Sequence, residues 1–272
     1  MRVGFVGLGS QGAPMARRIV DAGFPTSLWA RRAASLEPFH GIGATPVDTL
    51  VELGAASDVL CVCVVDDNGV DDVLRGPDGA LQSMSDGSVV VIHSTVHPVT
   101  CVRLQEDFPH LYIVDAPVSG GGHMAATGEL LVMAGGPTEV VERSRPVLET
   151  YSNQVLHLGP LGSGQEAKVL NNTIFAAQLA MATEAYALAA ERGLDQQALA
   201  AILASGSGRS YAGEVVAGGG FNLDGLAPLA GGLLAKDVGI LVDRAGLAGT
   251  ALLMAADRAL EQMGVSRPGS TP

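Results

Sequence analysis

Two lysines stand apart in a chain that otherwise draws its positive charge from arginine: Lys168 and Lys236, against 14 arginines in 272 residues. A guanidinium keeps its proton near neutral pH, whereas an ammonium can release one when its surroundings lower its pKa. Lysines in such a chain are expected where proton transfer matters; the competing reading is a pair of solvated surface charges. Lys168 sits in Gly162-Ser163-Gly164-Gln165-Glu166-Ala167-Lys168-Val169-Leu170-Asn171-Asn172. On a helix Lys168 and Asn172, four apart, share a face, while Asn171 points about 100° away. An ammonium that donates a proton beside an amide that holds an oxygen suits carbonyl reduction. Hydride reaches carbon, Lys168 protonates oxygen, and the reverse reaction withdraws the alcohol proton.

Two glycine-rich segments supply candidate anion sites. Ser119-Gly120-Gly121 follows a predicted strand and offers a hydroxyl and successive N–H groups with little bulk, a cradle for a substrate carboxylate or else an ordinary turn. Gly7-Leu8-Gly9-Ser10-Gln11-Gly12 matches the dinucleotide-binding glycine pattern between a predicted strand and a predicted helix. There Gly7 permits the turn, Gly9 admits a pyrophosphate and Gly12 lets helix and strand approach, with Ser10 and Gln11 in the same loop. About twenty residues on, where NAD sites place an acid, the chain reads Trp29-Ala30-Arg31-Arg32, with no carboxylate before Glu37. Two guanidinium groups suit a 2′-phosphate, so the sequence favours NADP(H) over NAD(H). The opposing reading makes Arg31 and Arg32 a solvated helix start.

Elements able to position these groups follow from periodicity. Strands are predicted over 2–6, 26–29, 59–65, 89–92, 112–114 and 130–133, and helices over 13–22, 46–53 and 70–74. This alternation marks a doubly wound, mostly parallel sheet. From about Gly164 the pattern turns helical: one long helix over 165–192 stopped by Gly193, then segments over 195–203, 231–245 and 249–263. The expected fold is therefore α/β: a Rossmann-like cofactor domain over 1–160 and an all-helical substrate and oligomerisation domain over 161–272, joined by the long helix.

Composition narrows the partners. The chain is 47% hydrophobic and 16% charged, with a net charge of −12 and a pI near 4.8, which argues against nucleic acid and anionic membranes but not against a small anionic substrate. No signal peptide or membrane span is expected, and the tail over 265–272 is expected to be loose. Three cysteines without metal or redox spacing read as small buried groups in a reducing cytoplasm. Cys61 and Cys63, two apart, share a strand face. Asp66 and Asp67 lack partners at metal-ligand spacing, so no metal is expected.

Four blocks together carry a family resemblance: Gly4-Phe5-Val6-Gly7-Leu8-Gly9-Ser10-Gln11-Gly12-Ala13-Pro14-Met15-Ala16; Asp115-Ala116-Pro117-Val118-Ser119-Gly120-Gly121; the segment from Gly162 to Asn172; and Lys236-Asp237. In this order they resemble the β-hydroxyacid dehydrogenases, which include 3-hydroxyisobutyrate dehydrogenase and glyoxylate/succinic semialdehyde reductase. The resemblance implies that Lys168 is the acid/base, that Asn172 holds substrate and that Ser119-Gly120-Gly121 binds its carboxylate. It implies further that Lys236 and Thr95 lie near the nicotinamide and Val64-Val65 along the cofactor, and that the protein is a homodimer or homotetramer acting on a small β-hydroxy acid or the matching aldehyde acid. The chain departs from the pattern at Val65-Asp66, at Gly122-His123-Met124, at Leu229, where many members carry a pocket-shaping Phe, at Gly231-Gly232, and in stopping soon after Gly264. His123 reads as an exposed loop residue. Two alternatives stand beside this reading: an imine reductase, disfavoured by Lys168, and a sensor that binds NADP(H) without turnover.

Overall fold

Apolar runs of four residues form the centre of the first half of the chain. In the computed structural model, which describes residues 1–245 and 250–270, β1 (Val3–Val6), β4 (Val59–Val62) and β5 (Val89–Ile92) are buried along their whole length. Side-chain alternation splits them between two cores. Phe5, Cys61 and Val91 face a layer containing Met15 and Ile19, which belong to α1 (Gly12–Asp21). Leu60, Val62 and Val90 face the other layer, fed by α3 (Asp67–Leu74) and α4 (Pro98–Asp107). Helices on both faces cover a parallel sheet, which accounts for strands without polar positions.

The remaining elements of this half are β2 (Thr26–Trp29), β3 (Ala44–Pro46), α2 (Leu50–Ala55), β6 (Tyr112–Asp115), β7 (Val118–Ser119), α5 (Gly121–Thr127), β8 (Leu130–Gly135), α6 (Thr138–Leu148) and β9 (Ser152–Gly159). Strand order begins β3-β2-β1-β4-β5-β6, all parallel. β8 then runs antiparallel to β6 and β7, and β9 runs parallel to β8. The order in which strands are added reverses between the parallel neighbours β1 and β4, and the carboxyl ends of such strands make the crevice where these folds bind ligands.

Some boundaries differ from the sequence reading. The helix expected over 46–53 begins only at Leu50, because Ala44–Pro46 pairs with β2 at the sheet edge, where a proline is tolerated. Thr49 then caps α2, accepting the Glu52 N–H while the Glu52 carboxylate accepts the Thr49 N–H. The strand expected to run to Val65 ends at Val62, freeing Cys63, Val64 and Val65 for a loop.

The chain divides into two compact units, Met1–Lys168 and Val169–Pro272, and α7 (Ser163–Glu191) runs across the boundary. The second unit continues with α8 (Gln196–Ser205), α9 (Tyr211–Gly218), a π turn over Ala227–Gly231, α10 (Gly232–Ala245) and α11 (Ala251–Gln262). Its core is built from small residues such as Ala176, Ala180, Ala256 and Ala259 around Leu179, Tyr186 and Val238. Gly193 ends α7 with φ of 72°, the left-handed conformation a helix stop requires. The predicted helix over 249–263 corresponds to α11, capped by Thr250; Gly249 lies outside the described residues. Among the described residues no helix is long and apolar enough to cross a membrane.

Candidate active site

The glycine loop divides its labour between packing and access. Gly7 has φ of 99° and no room for a side chain, since a Cβ would overlap the Cys63 carbonyl. A Cβ on Gly12 would overlap the Gly7 carbonyl, whereas one on Gly9 meets nothing within 4 Å. No side chain caps the start of α1, although the Ala13 N–H already bonds the Gly9 carbonyl at 2.9 Å, and the positive end of the helix faces this loop. An open glycine face over an uncapped helix start fits a pyrophosphate, and the chain's own residues therefore suit a dinucleotide.

From this loop a cleft of about 840 Å³ runs past the ends of β2 and β4. Gly7, Gly9, Arg31, Arg32, Val64 and Val65 all line it, together with Trp29 and Ser35. Arg31 and Arg32 are exposed and follow directly on β2, the strand that pairs with β1 up to Trp29. Ser35, which carries no motif, stands in the same cleft because a short 3₁₀ turn over Ala33–Ser35 brings it back. Asp66 also reaches the cleft, but its carboxylate accepts the Gly69 N–H at 2.9 Å as the cap of α3.

The loops after β4 and β5 are bonded to each other. The Val64 N–H donates to Ser94 Oγ at 2.8 Å, next to Thr95. Asp67 accepts the His97 N–H at 3.0 Å and the Thr100 hydroxyl at 2.5 Å. Behind this segment His93 is buried, with Nδ1 2.7 Å from the Ala116 carbonyl and Nε2 3.0 Å from the Tyr151 hydroxyl. A carbonyl only accepts, so Nδ1 carries the proton and Nε2 accepts from Tyr151. Burial pulls the His93 pKa down to about 4 and keeps the ring neutral.

The start of α7 is seated on the end of β6. Asp115, fully buried, accepts the N–H groups of Gly162 and Gln165, each at 2.7 Å. Burial raises its carboxyl above the usual value, and these backbone bonds oppose the rise. Gly135 and Gly164 leave no space for a side chain beside it. One turn further, Lys168 is buried, with 9% of its surface exposed, uncommon for a lysine and a sign of a specific environment. Asp115 belongs to a quoted motif, yet its part as the anchor of α7 has no signal in the sequence.

Ser119 ends β7 and is half-buried. Gly120, at φ of 132°, packs against Met124 and Leu130, while Gly121, at φ of 70°, has an open face. Gln11 Nε2 donates to the Gly121 carbonyl at 3.4 Å, and Gly122 lies so close to the Ser10 carbonyl that a Cβ would overlap it. The dinucleotide loop and the Ser119-Gly120-Gly121 segment are thereby in direct contact. His123, expected in a loop, lies in α5 and is exposed; Gly121 and Gly122 are the residues that let that helix start so early.

In the second unit a buried carboxylate organises two further candidates. Asp237, 2% exposed, accepts from Asn172 Nδ2 at 2.6 Å and pairs with Lys236 Nζ at 2.8 Å. Asn171 donates to Asn172 Oδ1 at 3.1 Å, so the amide of Asn172 is fixed at both ends. Leu229 projects from the π turn, 75% exposed.

Known proteins resemble both halves of the chain. Residues 2–159 match the NAD binding domain of 6-phosphogluconate dehydrogenase, and residues 162–265 match the NAD-binding region of NADP-dependent 3-hydroxyisobutyrate dehydrogenase. The 2-(hydroxymethyl)glutarate dehydrogenase of Eubacterium barkeri is 31% identical over 254 residues, covering 89% of this chain and 82% of that protein. The chain belongs to the β-hydroxyacid dehydrogenase family. Among solved structures, the 3-hydroxyisobutyrate dehydrogenase of Mycobacterium tuberculosis with L-serine superposes with a TM-score of 0.84 at 26% identity, over 96% of this chain and 94% of that one. Psf3 in complex with NADP+ and 2-OPP superposes with a TM-score of 0.82 at 29% identity, over 93% and 91%. The protein is an NAD(P)-dependent hydroxyacid dehydrogenase with a Rossmann-like domain followed by helices.

Proposed function

We propose that the protein reduces a small aldehyde or keto acid to the β-hydroxy acid, and catalyses the reverse, with NADP(H) as cofactor and Lys168 as the general acid/base. The observation that carries this reading is the burial of one of only two lysines a turn into a helix whose start is anchored at Asp115, four residues before Ser119 in the chain. NADP(H), when bound, supplies or accepts the hydride. Lys168 gives its ammonium proton to the carbonyl oxygen as that oxygen gains charge, and takes a hydroxyl proton in the other direction. Asn172, one turn along α7, holds the same oxygen, with Asp237 fixing its amide. Ser119 and the N–H groups of Gly120 and Gly121 take the substrate carboxylate.

The cofactor preference rests on Arg31, Arg32 and Ser35, which gather cationic and hydroxyl donors in the cleft where an NAD site carries an acid. Psf3, which binds NADP+, supports the same preference. Lys236 and Thr95 serve the nicotinamide end, Val64 and Val65 the length of the cofactor, and Ser10, Gln11 and Gly12 its pyrophosphate. Residues 1–160 then form the cofactor domain and 161–272 the substrate and oligomerisation domain. Cytoplasmic residence suits three cysteines that form no disulfide.

Absorbance at 340 nm during incubation with NADPH and, in turn, glyoxylate, succinic semialdehyde, methylmalonate semialdehyde and tartronate semialdehyde tests this reading. Turnover with at least one of them is expected. Clear NADPH binding with oxidation by none would contradict the substrate class and return the imine and sensor alternatives.

A further inference from the structure

We infer that Gln165 is a positioning residue that fixes the distance between Thr95 and the turn of α7 bearing Lys168, an inference that rests on Lys168 being the acid/base. Gln165 is fully buried, three residues before Lys168. Its side-chain amide grips the backbone on both sides of Thr95: Nε2 donates to the Ser94 carbonyl at 2.8 Å and Oε1 accepts the Val96 N–H at 3.1 Å. Its own N–H is held by Asp115 at 2.7 Å, and Ser94 Oγ holds the Val64 N–H at 2.8 Å. The Gln165 side chain thus ties the loop after β5 to the first turn of α7, its backbone N–H adds the end of β6, and Ser94 carries the connection on to the loop after β4.

The chemistry explains why this connection has to be an amide. Carbonyl reduction delivers hydride and proton to the two atoms of one bond, so the group beside the nicotinamide and the proton donor must keep a fixed spacing. A displacement of about 1 Å in such an arrangement costs about 10²-fold in rate. A buried amide without partners is costly, but here its donor meets a carbonyl and its acceptor meets an N–H. A glutamate would keep the bond to Val96 and set a carboxylate oxygen against the Ser94 carbonyl. Once protonated, that carboxyl would donate to the carbonyl and restore the grip. A methionine fills the same space and makes neither bond.

Gln165→Glu and Gln165→Met separate positioning from packing. Both are expected to lower kcat about 10²-fold near pH 8 while the NADPH Kd, read by fluorescence, stays within about threefold. Gln165→Glu should regain most of that loss as pH falls toward about 6, and Gln165→Met should not. In the cofactor-free protein, hydrogen exchange at the Val96 amide should quicken at least about tenfold in Gln165→Met while the β5 amides stay protected. Folded variants with wild-type kcat, or a kcat and NADPH affinity that fall by the same factor, would overturn the assignment. Unchanged exchange at Val96 would overturn it too. Lys168→Arg is assayed alongside. Turnover retained there removes the acid/base reading itself, whereas turnover lost there and kept in both Gln165 variants removes only the positioning role.

Discussion

At the scale of single residues, the proposed site needs groups for what they can do with a proton and groups for where they can hold charge. The proposal puts Arg31 and Arg32 in the second kind. If they take a 2′-phosphate through charge-assisted bonds, Arg31→Ala with Arg32→Ala should cut kcat/KM for NADPH roughly 10- to 100-fold, corresponding to about 1.5–3 kcal/mol. The value for NADH should change little. Equal losses with both cofactors would assign them to general electrostatics. His93 makes a different prediction, on stability. Its pKa is about 4 in the fold against an ordinary value of 6.5, so between these limits the unfolded chain binds a proton that the folded chain refuses. Stability from the neutral ring is complete above pH 6.5 and is lost as pH falls toward 4, by up to roughly 3 kcal/mol. Asp115, raised by burial, acts with the opposite sign over acidic pH, so the histidine is isolated by difference. The melting temperature of wild type should fall more steeply than that of His93→Gln between about pH 7 and 4.5; parallel curves would contradict the burial account.

At the scale of elements, much of the site was legible because dinucleotide folds write their demands into short stretches. The strand, glycine loop and helix of β1 and α1 appear as an apolar run, three glycines and a helical period. The structure adds that these glycines are unequal. Gly12→Ala, which overlaps the Gly7 carbonyl, should lose roughly 1–3 kcal/mol of stability. Gly9→Ala faces open space and should keep a wild-type melting temperature while weakening NADPH binding. A normal Kd for Gly9→Ala would remove the pyrophosphate from that face. What stayed illegible depends on distant pairing. β3 is three residues long with a proline, so only its partner β2 makes it a strand. β9 alternates buried and exposed positions weakly and gains its identity from β8. Asp115 and Asp237 are anchors through contacts 47 and 65 residues away in sequence, a separation no local pattern encodes. Ser35 enters the cleft through a tight turn that has no composition signal.

At the scale of the whole molecule, the second unit leaves apolar surface uncovered. No residue of α8 is buried, and Ile202, Met181 and Tyr211 are 63%, 63% and 70% exposed. The prediction is that a second copy of the chain covers these side chains in a homo-oligomer. Light scattering on the eluted protein should give a multiple of 27.7 kDa; a single-chain mass at micromolar concentration would contradict it. With a net charge of −12, the overall field of the chain repels anions, so the proposed anionic substrate depends on local features such as backbone N–H groups.

The central claim is that Lys168 moves the proton that accompanies hydride transfer, and the most direct test is the rate of NADPH oxidation in a single turnover of Lys168→Arg. Arginine keeps the positive charge and cannot give up its proton. The rate should fall about 10²- to 10⁴-fold, with NADPH and substrate affinities little changed. A rate within about threefold of wild type would show that the lysine contributes only charge and that the proton comes from another group.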